Sequence, residues 1–297
     1  MSDTAAFREH FFSAEDGLRL HAREYGAHRP GVLPVICLAG LTRNCRDFDA
    51  LARLLATDAD TPRHVFALDY RGRGESGHDP DWKNYNPMTE ARDVATALTV
   101  FGIERAAFIG TSRGGIVTMM LAGSRPGAIA AAIFNDTGPV IEGEGLARIR
   151  QQLRKMNRPR DMDEAIELQK QALGHQFPAL DDAAWRRHTS AIYREEKGRL
   201  APDHDPKLLK TLEAINFSRP LPTFWPQYRG LDQVPLMILR GATSDVLSAQ
   251  SIREMQADRP ARTEILTVAG QGHPPLLETG DLPQRIAGFL ARADQKG

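Results

Sequence analysis

A serine in a glycine turn, Ser112, is the residue of this chain best placed to act as a nucleophile. It lies in Gly110-Thr111-Ser112-Arg113-Gly114, between an apolar run from Ala106 to Ile109 and an apolar helical segment from Ile116 to Ala122. A sharp turn between a strand and a helix exposes a serine hydroxyl at the edge of a sheet, near the positive end of the helix dipole. Only small residues fit two positions before and after such a serine. Taken alone, however, the motif is equally compatible with a strand–helix turn that binds nothing.

A serine nucleophile needs a base, and the base needs an acid that fixes its tautomer. His273 lies in a glycine-rich loop after the predicted strand Thr263 to Val268, and Asp245 follows the predicted strand Pro235 to Leu239. In a parallel sheet both loops open at the same edge as the serine turn. The order serine, aspartate, histidine is that of α/β-hydrolases. We therefore predict a catalytic triad of Ser112, Asp245 and His273, with Asp136 as the alternative acid because it also follows a core strand.

Two backbone amides are expected to stabilise the oxyanion that forms when the serine attacks a carbonyl. The Arg113 amide directly follows the nucleophile, and the Leu41 amide follows another predicted strand, where Gly40 allows close approach. The Arg113 side chain is expected to point away from the chemistry into an ion pair, with the loop at 69–75 as the candidate partner. Arg43 and Asn44 are expected to shape the loop rather than to bind substrate.

The elements that must position these residues alternate between strand and helix up to about residue 139 and again after residue 226. A hairpin around Asp16-Gly17 comes first. The alternation predicts an α/β fold with a mostly parallel twisted sheet and helices on both faces. Between these parts the strand pattern stops, and helical segments punctuated by prolines follow. We predict a core formed by residues 1–139 and 227–297, with a helical cap, residues 140–226, inserted into it.

Composition excludes several classes of function. The 38 basic and 38 acidic residues cancel, so no electrostatic argument supports binding to nucleic acid or to an anionic membrane. The two cysteines and the N-terminal sequence MSDTAAFREHFF indicate neither a disulfide framework nor a secretory signal, which predicts a cytoplasmic protein. No cysteine–histidine spacing is typical of a metal site, and we expect no metal or cofactor.

Jointly these segments resemble the cap-bearing α/β-hydrolase superfamily along the whole core. The matching segments are Leu38-Ala39-Gly40-Leu41, Asp69-Tyr70-Arg71-Gly72-Arg73-Gly74-Glu75-Ser76, Gly110 to Gly115, Gly241 to Asp245, and Gly272-His273. The resemblance implies the α/β-hydrolase fold, with Ser112 as nucleophile, Asp245 as acid, His273 as base, and Leu41 and Arg113 as oxyanion donors. It also marks a departure: Ala39-Gly40 stands where the family usually has His-Gly, which removes a side chain that normally braces the loop.

The predicted function is hydrolysis of a small-molecule carboxylic ester or lactone through an acyl-enzyme, without a cofactor. Candidate pocket residues are apolar or aromatic side chains of the cap: Trp185, Ile192, Tyr193, Phe217, Phe224 and Trp225. One alternative is hydrolysis of a carbon–carbon bond, which usually needs a basic group for the substrate carboxylate; Arg43, Arg186, Arg187 and Arg194 are candidates. A second alternative is a ligand sensor that keeps the hydrolase fold. The sequence does not indicate an oligomeric state.

Overall fold

A computed structural model describes residues 7–295. Its strands, in chain order, are β1 Arg8–Ser13, β2 Arg19–Tyr25, β3 Val35–Leu38, β4 Val65–Asp69, β5 Ala106–Thr111, β6 Ile129–Asn135, β7 Tyr193–Glu196, β8 Arg199–Pro202, β9 Leu236–Gly241 and β10 Thr263–Val268. The α-helices are α1 Asp49–Thr57, α2 Pro87–Val100, α3 Arg113–Ser124, α4 Gly143–Arg154, α5 Met162–Leu173, α6 Asp182–Ser190, α7 Leu208–Glu213, α8 Trp225–Arg229, α9 Ala249–Asp258 and α10 Leu282–Asp294.

Eight strands form one sheet in the order β1-β2-β4-β3-β5-β6-β9-β10. The first two form the predicted antiparallel hairpin, β2 pairs antiparallel with β4, and all other neighbours in this sheet pair in parallel. The carboxyl ends of β3, β5, β6, β9 and β10 therefore open at one edge. The predicted α/β-hydrolase fold with a mostly parallel sheet is confirmed.

Helices cover both faces of this sheet because its central strands are apolar on both sides. Within β3, Ile36 and Leu38 face a cluster that includes side chains of α2, α3 and α9. The alternate residues Val35 and Cys37 face a second cluster that includes side chains of α1 and α10. This two-residue alternation buries the strand on both faces and fixes its register.

The turn between β5 and α3 shows why glycines flank Ser112. A Cβ atom on Gly110 would lie 2.5 Å from the Gly115 nitrogen, and one on Gly114 would lie 2.1 Å from the Leu38 carbonyl oxygen. Both contacts are with backbone, which cannot move aside as a side chain could. Ser112 itself has φ 51° and ψ −110°, a conformation that is rare for residues other than glycine. The sequence thus places a strained serine between two close backbone contacts that only glycine permits.

The segment between β6 and β9 carries five helices and a two-stranded hairpin among its described residues. Its two ends meet, since the Phe224 amide donates to the Pro139 carbonyl oxygen at 2.7 Å. The segment is not purely helical, as was predicted for residues 140–226, because α6 ends at Ser190 and β7 pairs with β8. Lys197 and Gly198 both have positive φ, as a two-residue type I′ hairpin turn requires.

Within residues 7–295, no helix combines the length and the apolar character needed to cross a membrane. Residues 1–6, half of the N-terminal sequence from which we expect no secretory signal, lie outside the described range.

Helix α3 offers a matched test of the crowding at the elbow. Gly114→Ala should lower the free energy of unfolding by about 1–3 kcal/mol, because its methyl group would overlap the backbone of β3. Gly123→Ala, in the same helix, meets nothing within 4 Å and should raise stability by up to about 1 kcal/mol. Urea unfolding of both variants measures the difference. Equal stabilities would contradict the close approach of α3 to β3.

Candidate active site

Ser112 and His273 meet at the carboxyl edge of the sheet, as the sequence predicts. The Ser112 Oγ lies 2.9 Å from the His273 Nε2, within hydrogen-bond distance. The serine is placed by the β5–α3 turn, and its amide donates to the Asn135 carbonyl oxygen at 2.8 Å, which ties the turn to β6. The histidine is buried in the loop that follows β10. A base within reach of the hydroxyl is the arrangement that activates a serine.

The acid beside His273 is Asp136, so the prediction of Asp245 at this position was wrong. The Asp136 Oδ2 lies 2.7 Å from the His273 Nδ1, and the carboxylate is fully buried. Asp136 directly follows β6, in a left-handed conformation with φ 55° that turns its side chain across the end of β9. There its Oδ1 accepts from the Gly241 amide at 2.9 Å, and its Oδ2 also accepts from the Ser244 hydroxyl.

Asp245 fails to reach His273 because the loop after β9 carries it toward the inserted segment. It lies four residues beyond the end of β9 and receives two hydrogen bonds from the Arg148 guanidinium of α4, at 2.5 and 2.7 Å. Burial alone would raise the pKa of the Asp245 carboxyl, but the Arg148 guanidinium outweighs it and lowers this pKa. The function of Asp245 in this structure is to hold α4 against the core.

The sequence analysis named Asp136 as the alternative acid because it follows a core strand, and the strand order of the sheet explains why it is the one that reaches the site. Strand β6 lies between β5 and β9, so a residue at its carboxyl end is next to the serine turn. Asp136 needs no intervening loop to reach the site, whereas Asp245 depends on a loop whose path the sequence does not reveal. The resemblance to the α/β-hydrolase superfamily implied Asp245, the later of the two aspartates in the chain.

The backbone amides of Leu41 and Arg113 remain the predicted oxyanion donors. Both residues border the same cavity as Ser112. Within the described part of the chain, neither amide donates to a protein acceptor. Two unpaired N–H groups at the edge of a cavity, one of them at a helix N-terminus, suit a developing oxyanion.

The Arg113 side chain points away from the serine, as expected, but its partner differs from the predicted one. Its Nε donates to the Glu90 carboxylate of α2 at 2.7 Å, and a terminal nitrogen donates to the Tyr85 carbonyl oxygen at 3.1 Å. Arg43 and Asn44 have structural contacts: Arg43 donates to Asp47 and to the His188 carbonyl oxygen, and Asn44 donates to the Ala191 carbonyl oxygen.

A cavity of about 270 Å³ opens beside Ser112, between the core and the inserted segment. Its walls are mostly apolar, and α4 and α7 contribute part of them. The lining side chains from these two helices are Leu146, Ile149 and Leu212. Because Leu146 and Ile149 are three residues apart, they share one face of α4.

Of the six residues predicted for the pocket, only Phe224 borders this cavity. Trp185 packs against Phe177 and His188 within the inserted segment, and the Tyr193 hydroxyl accepts from Gln169. Trp225 packs against Tyr228. The prediction for Trp185, Tyr193 and Trp225 was wrong because these rings stabilise the inserted segment and its attachment. The aliphatic positions of α4, which the sequence analysis did not single out, form the wall instead.

One group of potential metal ligands lies elsewhere among residues 7–295. His21, Cys45 and Asp69 bring ligand atoms within 4.8 Å of one another. The His21 Nδ1 and the Cys45 amide already bind the Asp69 carboxylate, each at 2.7 Å. Burial raises the pKa of the Cys45 thiol well above its usual value, which opposes the thiolate that a metal needs. The group is best described as a buried hydrogen-bonded link between β2, β4 and the loop after β3.

Comparison with known proteins agrees with the fold. The chain is 28% identical to the 3-hydroxybutyrate-oligomer hydrolase of Cupriavidus necator, over 86% of this chain and 87% of the relative. It is 26% identical to an esterase of Escherichia coli, over 81% of this chain and 85% of the relative. A solved alpha/beta hydrolase from Novosphingobium aromaticivorans superposes with a TM-score of 0.88 and 38% identity, over 97% of this chain and 99% of that one.

The family model described as "Alpha/beta hydrolase family" matches residues 35–288, from β3 into α10, and so spans the serine turn, the inserted segment and the histidine loop. On this match, and on the architecture described above, the chain belongs to the alpha/beta hydrolase family.

Proposed function

We propose that this hydrolase cleaves a carboxylic ester or lactone through an acyl-enzyme on Ser112. The observation that carries the proposal is the continuous hydrogen-bonded series from the Ser112 Oγ through His273 to Asp136, with distances of 2.9 and 2.7 Å. The similarity to an esterase and to a 3-hydroxybutyrate-oligomer hydrolase supports ester substrates. A small molecule is the only partner that the proposal requires. The proposed cytoplasmic location of the protein rests on the sequence alone.

In the proposed reaction, the Ser112 Oγ attacks the substrate carbonyl carbon while its proton moves to the His273 Nε2. The Asp136 carboxylate accepts from the Nδ1–H, which fixes the tautomer and stabilises the imidazolium. The carbonyl oxygen becomes an oxyanion next to the Leu41 and Arg113 amides. His273 then returns the proton to the leaving alkoxide. In the second half, a water that loses its proton to His273 attacks the acyl-enzyme and releases the acid.

The cavity favours an apolar acyl group. Its lining offers aliphatic surface from Leu146, Ile149 and Ile215. Arg113 also borders the cavity, but its guanidinium is paired with Glu90. An apolar chain in this space is removed from water without leaving a buried polar group unpaired. A substrate carboxylate would find no unpaired cation among the described residues of this lining.

The lack of an unpaired cation among the described lining residues argues against carbon–carbon bond hydrolysis of a carboxylate-bearing substrate. The basic residues suggested for that reaction do not border the cavity beside Ser112. Arg43 pairs with Asp47, Arg186 with Asp163, and Arg194 lies 3.8 Å from Asp203. Arg187 lies 3.9 Å from Glu278. A ligand sensor would need the cavity but not the ordered serine, histidine and aspartate.

A pair of aspartate variants tests which carboxylate supports the histidine. Asp136→Asn should lower kcat by about 10⁴-fold, because an amide stabilises the wrong tautomer and cannot balance the imidazolium. Asp245→Asn should keep kcat within about tenfold, because it removes only the contact with Arg148. Steady-state kinetics on an activated ester measures both. A larger loss in the Asp245 variant would contradict the assignment.

A series of p-nitrophenyl esters from acetate to decanoate tests the proposed function itself. Each added methylene should raise kcat/KM by up to roughly fourfold until the cavity is full, because each buries apolar surface worth about 0.8 kcal/mol. Ser112→Ala should abolish the activity, and Ser124→Ala, at the other end of α3, should retain it. Background rates in the wild-type protein, together with no labelling of Ser112 by a fluorophosphonate, would contradict the proposal and favour a sensor.

A further inference from the structure

The loop that carries the Leu41 amide has an unusual support. The residue before Gly40 is Ala39, whose side chain cannot brace this loop through a hydrogen bond. Instead, the Arg73 side chain enters from the loop after β4, and its Nε donates to the Leu41 carbonyl oxygen at 2.7 Å. The acceptor of this hydrogen bond is the carbonyl group of the same residue whose N–H is the predicted oxyanion donor.

Arg73 is itself held rigidly. Its guanidinium is completely buried, and its carbon lies 5.5 Å from the ring centres of both Tyr70 and Tyr85. One terminal nitrogen donates to the Arg71 carbonyl oxygen at 2.7 Å and lies 2.9 Å from the Glu90 carboxylate. Two hydrogen bonds to carbonyl oxygens and one ion pair hold this buried guanidinium, while its second terminal nitrogen has no hydrogen-bond partner among the described residues. Such a group can hold the oxygen that it binds within a narrow range of positions.

Glu90 connects this brace to the second oxyanion donor. Its other carboxylate oxygen accepts from the Arg113 Nε at 2.7 Å, and its own side chain is completely buried. The series Arg73–Glu90–Arg113 therefore ties the Leu41 loop to the residue that supplies the second amide. Burial would raise the pKa of Glu90, but Arg113 and Arg73 outweigh it and lower this pKa, so the carboxylate is ionised.

The charges in this series do not cancel. Two guanidiniums share one carboxylate, which leaves one net positive charge in the group that links the two predicted oxyanion donors. Burying three charged groups costs free energy unless their geometry is close to ideal. A purely structural role would be served as well by apolar side chains of similar volume.

We propose that Arg73, held by Glu90, is a positioning residue that fixes the Leu41 amide for the oxyanion. This inference rests on the proposed function, because it assigns a role within that reaction. Arg73 does not touch the reacting atoms; it acts through the Leu41 peptide.

The test compares Arg73→Lys with Arg71→Lys. Lysine keeps the charge but cannot donate to the Leu41 oxygen and pair with Glu90 in the same fork geometry. Arg71 is a matched control: it is also buried and paired with carboxylates, Asp79 and Asp93, and it lies two residues away, but its side chain has no contact with Leu41. Circular dichroism and thermal unfolding determine whether both variants fold.

Three readouts separate positioning from general stability. Arg73→Lys should lower kcat by roughly tenfold to a hundredfold with little change in KM, whereas Arg71→Lys should not. Affinity for an alkyl trifluoromethyl ketone, whose carbonyl carbon bonds to the Ser112 Oγ and whose oxygen becomes the anion, should fall in parallel with kcat. Affinity for the corresponding alcohol, which forms no such bond, should not change. Hydrogen exchange in peptides covering residues 38–44 should become roughly tenfold faster only in the Arg73 variant.

Each outcome decides a different point. If Arg73→Lys matches Arg71→Lys in kcat, ketone affinity and exchange, the positioning role is wrong while the proposed function stands. If the wild-type protein neither hydrolyses esters nor binds the ketone, the proposed function is wrong, and unchanged exchange in the Arg73 variant would then also exclude the brace. Should Arg73→Lys not fold, Glu90→Gln replaces it and should show a smaller loss in the same three readouts. No loss in that variant would overturn the inference.

Discussion

The buried hydrogen bond between Asp136 and His273 is the constraint on which the rest of the site depends. It fixes the imidazole plane, and the imidazole in turn places its Nε2 against the Ser112 hydroxyl. Asp136 can make this bond because β6 lies between β5 and β9 and ends where the chain adopts a left-handed conformation. Within the described residues, the donors to its carboxylate are the Gly241 amide, the Ser244 hydroxyl and the His273 ring, and no arginine or lysine pairs with it. Its negative charge therefore remains available to an imidazolium.

Two other carboxylates, those of Asp245 and Glu90, pair with arginines. Asp245 binds Arg148 of α4, and Glu90 is shared between Arg73 and Arg113. The first pair attaches the wall of the apolar cavity to the core. The second group links the two loops that carry the predicted oxyanion donors. The ion pairs thus organise the elements around the reaction centre, and hydrogen bonds alone connect the three reacting side chains.

Local patterns in the sequence predicted most of the fold, because the residue types that form each strand, turn or helix lie within a few positions of one another along the chain. The Asp16-Gly17 hairpin, the apolar strands and the glycines around Ser112 are examples. The sequence did not predict the acid, because Asp245 and Asp136 both follow core strands and only the path of the loop after β9 separates them. It also misassigned Trp185 and Tyr193, whose rings pack inside the inserted segment, since composition does not reveal the direction in which an aromatic side chain points.

Proton NMR of the His273 ring tests the central claim most directly. A short hydrogen bond to a buried carboxylate shifts the Nδ1 proton far downfield of the backbone amides and slows its exchange with water. Because Asp136 binds the His273 Nδ1, we expect such a resonance in the wild-type protein, its loss in Asp136→Asn, and its persistence in Asp245→Asn. A resonance that survives in the Asp136 variant and disappears in the Asp245 variant would contradict the assignment of the acid and, with it, the account of how the site is built.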